Sequence, residues 1–281
     1  MTKLLVMGAT GNVGGALVRQ LVATGADVRA AVRDPAQAAL PAGVEVVPGD
    51  FDQPGSLPLA GVAAAFAIGG RRDLPGLLSA FRTAGVEHVV LLTSRSVIGR
   101  VAGNAIADMW AASEDALRAS PLSWTILRPS GFASNALRWL PQLRAGDVVR
   151  VPFADVPIAA IDPEDLAAVA AAALTTRRHA AQELELSGPE ALLPATQLAL
   201  IGHAVGRALR IEPLAADAAR AELATVFPPA FVDAQLRFFV DGEFDDARVV
   251  PTVARILGRP ARPFARWVAA HAGELSSGST R

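Results

Sequence analysis

The 281-residue chain contains no cysteine and no tyrosine. The first absence excludes disulfides, thiolate catalysis and zinc–thiolate sites, and no metal site is expected. The second excludes any mechanism that takes a proton from a phenol. Lysine is almost missing as well: Lys3 is the single one, and arginine carries nearly all the positive charge. With 26 basic against 27 acidic residues the formal net charge is −1, so no nucleic-acid partner is expected. No apolar run reaches the ~18–20 residues that a membrane span needs. The Ala-rich stretch near 159–174 is cut by "DPED". Neither a basic leader nor a cleavage signal precedes the first strand at Lys3, so the expectation is a cytoplasmic protein.

What is present is a regular alternation. The apolar run "KLLVMG" (3–8) ends in glycine, as a parallel strand buried on both faces does. Val13, Leu17 and Leu21 follow at helical spacing, with Gly25 placed as a stop. Further strands are predicted at 27–33, 44–50, within 61–70, at 88–94 and at 123–131, with helices at 74–85 and about 105–119. Strands alternating with helices predict a Rossmann-like α/β fold, a doubly wound parallel sheet with its ligand at the strands' carboxyl ends. After residue 131 the rhythm loosens. Residues 147–174 read as two short strands and a helix opened by Asp162 as N-cap and Pro163 at its first position. A strand at 183–188, helices at 195–209 and 249–260, and a frayed tail from 274 complete the chain.

"GATGNVG" (8–14) lies between the first strand and the first helix. Gly8 allows the tight turn, Gly11 lets backbone approach a pyrophosphate, and Gly14 lets helix and sheet pack closely. Thr10 belongs to the same loop, and N–H groups near Asn12 and Val13 would hold the phosphates at the helix amino terminus. The second strand ends in Arg33, whose forked guanidinium suits a 2′-phosphate, so NADP(H) is the expected cofactor. Asp34 beside it is able to serve a ribose instead. In "GDFDQ" (49–53), Phe51 and Asp50 fall where an adenine ring would lie, although a core Phe and a turn Asp fit the same letters. Gly69 after the fourth strand and Thr93 after the fifth border the groove. The predicted organisation is an NAD(P)-binding domain over 1–131 and a smaller mixed α/β substrate-side subdomain over 132–281, packed into one unit.

These motifs, with "VRDP" (32–35), "LLTS" (91–94), "SEDALRASPLSWTILRPSGFASN" (113–135), "IDPEDLAAVAAAAL" (161–174) and "GRPARPFARWVAAH" (258–271), resemble the NmrA-like branch of the atypical short-chain dehydrogenase/reductase family almost end to end. The resemblance implies NAD(P)H binding. The family holds reductases of ketones, quinones, imines and double bonds, and also non-catalytic redox-sensing regulators. The Tyr-free, Arg-, Ala-, Gly- and Pro-rich chain is also similar to the tailoring ketoreductases of aromatic polyketide pathways, of the angucyclinone type in simocyclinone-like clusters. That likeness implies antibiotic biosynthesis and an aromatic or polycyclic small-molecule substrate.

Short-chain reductases use a tyrosine as acid and, four residues on, a lysine that lowers its pKa. In "DMWAASEDALR" (108–118) those places hold Trp110 and Glu114. With no tyrosine anywhere, no shift of alignment restores the pair. Ser94 is the first candidate to orient a substrate carbonyl, with the proton coming from water, a serine relay or the substrate itself. Ser96, Trp110, Phe132, Asn135 and His203 are candidate pocket residues, and Arg95 a further one; each also has a plain structural reading. His88 falls at a strand start, and His179 and His271 at surface positions. The predicted function is an NADPH-dependent carbonyl reductase lacking the dyad. A quinone or double-bond reductase and a non-catalytic NADP(H) sensor are the alternatives, and the oligomeric state is open.

Overall fold

The computed structural model describes residues 2–276. Seven strands form one parallel sheet: β1 (Lys3–Val6), β2 (Asp27–Val32), β3 (Glu45–Pro48), β4 (Val62–Ile68), β5 (His88–Leu92), β6 (Ser123–Pro129) and β8 (Gln182–Leu186), in the order β3-β2-β1-β4-β5-β6-β8. The order reverses between β1 and β4, which opens a crevice at their carboxyl ends.

The strands are near-continuous apolar runs because both faces are covered. On one face lie α1 (Asn12–Ala23) and α5 (Pro163–Thr175), sharing a core with the sheet through Val13, Leu17, Leu21, Leu166 and Val169. On the other lie α2 (Leu74–Thr83) and α3 (Ala105–Ala119), whose Leu77, Phe81 and Leu117 pack on β4 and β5. Asp162 caps α5 through the N–H of Glu164 at 2.9 Å, with Pro163 opening the helix, as its sequence predicts. His88 starts β5 fully buried, between the hydroxyls of Ser123 at 2.9 Å and Thr125 at 3.3 Å. Burial, then the charge of Arg177, pushes its pKa down to about 4, so the ring is neutral.

Chain beyond residue 131 divides between two places. α5, β8 and α9 (Thr252–Leu257) are built into the sheet layer. The rest forms a second unit around Leu143, Val149, Ile201 and Trp267. It comprises α4 (Leu140–Ala145), the parallel pair β7 (Val148–Val151) and β9 (Arg210–Pro213), α6 (Pro194–Val205) and α10 (Phe264–Ser276), while α7 (Ala216–Ala224) and α8 (Pro229–Phe239) pack on each other and α8 lies against α3. The second strand expected within 147–174 is reduced to isolated bridges, Phe132 with Ile161 and Ile158 with Leu192. The predicted frayed tail from 274 begins inside α10, and residues 277–281 lie outside the described residues. His271 is half-buried, not on the open surface, because its ring stacks on Trp267 at 4.4 Å.

Candidate active site

The chain leaves β1 through Gly8, whose φ of +63° is a left-handed conformation open to glycine. Its carbonyl accepts the Gly11 N–H at 2.9 Å, closing the turn. A Cβ at Gly14 would overlap that carbonyl, so only glycine lets the first turn of α1 rest on the loop. No side chain caps α1 and no acid lies in its first turn, which leaves the N–H groups of Asn12 and Val13 free at the positive end of the helix. Thr10, Gly11 and Asn12 are exposed. This cradle of bare backbone fits the pyrophosphate of a dinucleotide.

Arg33 stands exposed at the end of β2, with no hydrogen bond or ion pair among the described residues, so its guanidinium is open to a ligand. Asp34 is occupied: it accepts from the Ala36 N–H at 3.1 Å and the Gln37 amide at 2.6 Å. Asp50 accepts from the Asp52 N–H at 3.0 Å and from Gln53 at 3.1 Å, bonds that hold its carboxyl below the usual range, aided by Arg33 and Arg71. Phe51 is half-buried and packs toward the core beside α2.

Around α3 the places of the missing dyad become concrete. Glu114 is 1% exposed. Its carboxylate accepts from Arg128 Nε at 2.9 Å and Nη2 at 2.5 Å, from Arg118 Nη2 at 2.7 Å, and from Thr93 Oγ1 at 2.9 Å. Glu183 of β8 pairs with the same two arginines. Burial opposes the charge, but Arg128, Thr93 and Arg118 outweigh it and hold the carboxyl below the ordinary glutamate value. Glu114 is therefore a spent anion bracing α3 against β5 and β6, and it ties up the Thr93 hydroxyl. Trp110, one turn earlier, presses on the loop after β4: a Cβ on Gly69 would stand 3.2 Å from its ring. Its other side faces a large cleft.

That cleft, of about 910 Å³, lies beyond the ends of β5 and β6 and runs out between the two units. It brings together Thr93, Ser94, Ser96, Trp110, Phe132 and Asn135. Ser94 accepts from the Ser96 N–H at 3.2 Å, leaving its own proton available. Ser96 Oγ is buried without a hydrogen-bond partner. His203 is not brought there: it is exposed on α6, outside the lining. Nor is Arg95, which is buried and donates to the Arg248 carbonyl at 2.7 Å, pinning the segment 245–248.

The remaining walls come from residues that the sequence reading missed. α8 and its flanks supply Phe227, Phe231, Phe238, Phe239 and Phe244, with Phe153 opposite. Phe153 holds a left-handed φ of 57° and meets the Phe239 ring at 5.0 Å. Arg138 lies 6.0 Å from the centre of the Phe227 ring and has no acidic partner among the described residues. Asp246 is 5% exposed and lines the cleft. Its Oδ2 accepts the Gly131 N–H at 2.9 Å, its carbonyl accepts the Ala159 N–H at 2.8 Å, and its Oδ1 has no hydrogen-bond partner. Burial pushes this carboxyl up to about 7, with the Gly131 N–H and Arg95 opposing and Asp245 adding to the rise. The apolar spacing of "FVDAQLRFF" (231–239) was a readable helix signal; nothing in "FDDAR" (244–248) marks Asp246 among its acidic neighbours. Among the described residues no cluster of metal-ligating side chains occurs, and no helix is long and apolar enough to cross a membrane.

The chain is similar to several known proteins. The family pattern described as NAD(P)H-binding matches residues 8–177. A (4-alkanoyl-5-oxo-2,5-dihydrofuran-3-yl)methyl phosphate reductase of Streptomyces griseus is 40% identical, over 96% of this chain and 98% of its own length. The crystal structure of an NADPH-dependent quinone oxidoreductase from Escherichia coli superposes with a TM-score of 0.77 at 25% identity, covering 95% of this chain and 98% of the other. An NmrA variant shares the fold at a TM-score of 0.76 and 16% identity, with 98% and 97% covered.

Proposed function

We propose, given that this chain belongs to the NAD(P)H-binding family and is an NAD(P)H-dependent oxidoreductase, that it reduces a bulky conjugated carbonyl compound of the aromatic or polycyclic kind, with NADPH as donor. The observation that carries this is the cleft: about 910 Å³, walled by Trp110, Phe132 and the phenylalanines of the α8 region, with Ser94, Ser96 and Asn135 among its polar groups. Flat aromatic walls favour a flat acceptor over a small one.

When bound, the reduced nicotinamide would supply a hydride. The chain's own residues bind and orient the acceptor. The bare N–H groups of Asn12 and Val13 would hold the phosphates, and Arg33 would meet the 2′-phosphate. Ser94 donates to the acceptor's carbonyl oxygen, and the aromatic walls fix the acceptor's plane. Holding the reacting carbon in place contributes roughly 7–11 kcal/mol to lowering such a barrier. A dyad is therefore not a condition of turnover.

The Streptomyces griseus relative supports reduction of a conjugated double bond as a second reading, since the compound in its name carries a ring double bond between two carbonyl groups and a phosphate ester. Arg138, unpaired on the cleft wall, supplies positive charge for such an anionic substituent. The test mixes purified protein and NADPH with aromatic ketones, quinones, and acyl-dihydrofuranones with and without a phosphate ester. Consumption of reduced nicotinamide is expected with at least one conjugated acceptor. Tight NADPH binding with no turnover across the panel would replace this reading with a non-catalytic sensor.

A further inference from the structure

The cleft poses a proton problem. Among the described residues its lining includes no tyrosine, histidine, lysine or cysteine, and Thr93 is committed to Glu114. Two carboxyl groups remain, Glu222 and Asp246. Glu222 sits part-exposed on α7, at the outer end of the cleft beside Val226, which is 72% exposed. Asp246 is at the inner end, hydrogen-bonded to Gly131, which follows β6 by two residues. β6 is the neighbour of β5, so Gly131 and Asp246 stand on the same carboxyl-end rim of the sheet as Ser94.

Resting on the reductase reading above, we propose that Asp246 is the general acid of the reaction, taking the place of the missing tyrosine. Its geometry is that of a held, half-used group. Oδ2 is fixed by the Gly131 N–H, while Oδ1 is buried and without a hydrogen-bond partner, in a residue that lines the cleft. An ionised carboxylate in that place would leave charge unsatisfied, whereas a carboxylic acid offers its proton from Oδ1. The glycine at 131 is part of the device: a Cβ there would stand 3.1 Å from Oδ2 and 3.0 Å from Ile158.

The step balances as follows. The acceptor carbon receives the hydride with both electrons, and the π pair of the C=O, or of the conjugated C=C–C=O, moves to oxygen. The Oδ1–H bond of Asp246 breaks and its proton forms the new O–H bond. NADP⁺ and the Asp246 carboxylate result, and water entering the open cleft returns a proton to the carboxylate. The charged groups that bear on Asp246 are Arg95 from the loop after β5 and its own neighbour Asp245, and Arg95 in turn feels Arg248 and Glu185. Burial dominates them and keeps the group protonated to about pH 7.

The decisive variant is Asp246→Asn, which keeps an oxygen for the Gly131 N–H and removes the proton. With the best carbonyl acceptor of the panel, kcat should fall about 10²–10⁴-fold with KM little changed. Wild-type kcat should decline on the alkaline side of about pH 7, and that limb should vanish in the variant. Infrared difference spectra of the free protein, which need no turnover, should show a protonated carboxyl band that titrates near neutrality and is absent from Asp246→Asn. Equal turnover in both proteins, or spectra without such a band, would overturn the assignment. Should the variant fail to fold, the wild-type pH profile and spectra decide alone. Failure of the reductase reading looks different: wild type itself then consumes no NADPH.

Discussion

Single side chains decide the chemistry more than the motif does. Trp110 and Glu114 stand where an acid and its lysine would be, and both have been turned to other work. One shapes a pocket wall, and the other, 1% exposed, anchors a network of two arginines and Thr93. The absence of tyrosine was plain from the letters; the replacement was not, because a carboxyl's role depends on what surrounds it. Asp50, Glu114 and Asp246 are all acids, yet surroundings hold the first two below their ordinary pKa and raise the third to about 7. Arg33 is the converse, a basic residue that stands exposed and without a partner among the described residues. Arg33→Ala is expected to weaken NADPH binding by 10-fold or more, on the order of 1.5–3 kcal/mol for a hydrogen bond to a charged group, while leaving NADH nearly unchanged. Equal losses in a fluorescence titration would remove Arg33 from the 2′-phosphate.

Elements were legible where one rule governed them. Strands buried on both faces gave unbroken apolar runs, and β1, β2, β4, β5 and β6 lie where those runs are. α3 spans residues 105–119, where the sequence placed it. Beyond the sheet, α6 and β7 also fall where a helix and a short strand were expected, whereas β9, α7 and α8 were not expected. β9 has the short sequence "RIEP", and α7 is studded with charge, so neither shows a period long enough to read. The α8 phenylalanines form one wall of the cleft, and that role depends on packing between units that no local window contains. The loop-to-helix junction at α1 carries an element-scale prediction. Gly14→Ala should push α1 off the Gly8 carbonyl, costing roughly 2 kcal/mol as overpacking does. A lower denaturant midpoint together with weaker cofactor binding is the expected pair of results; loss of neither would mean that the turn relaxes freely.

Two buried groups give the whole molecule opposing responses to pH. His88 titrates at about 4 in the fold against 6.5 in a free chain, so its stabilising effect is present above 6.5 and is lost as pH falls toward 4. The size is on the order of 3 kcal/mol. Asp246 titrates at about 7 against 3.8, so its effect is present below 3.8 and is lost as pH rises through 7. Across that shared window the two partly cancel, and wild-type stability should be flatter than either alone dictates. Urea unfolding at several pH values tests this. Asp246→Asn should grow more stable relative to wild type from pH 4 to 7, exposing the steeper acid loss that His88 causes. Parallel curves for the two proteins would place the buried charge elsewhere.

The last strand of the sheet has a consequence for how the chain is made. β6 ends at Pro129, yet its partner β8 begins only at Gln182. A growing chain emerging at ~5–20 residues per second leaves that sheet edge unpaired for several seconds, with Arg128 waiting for Glu183. The nascent nucleotide-binding half thus passes through a stage with an open β-edge, and a stall in translation between those two strands is the moment at which it is most exposed to wrong partners.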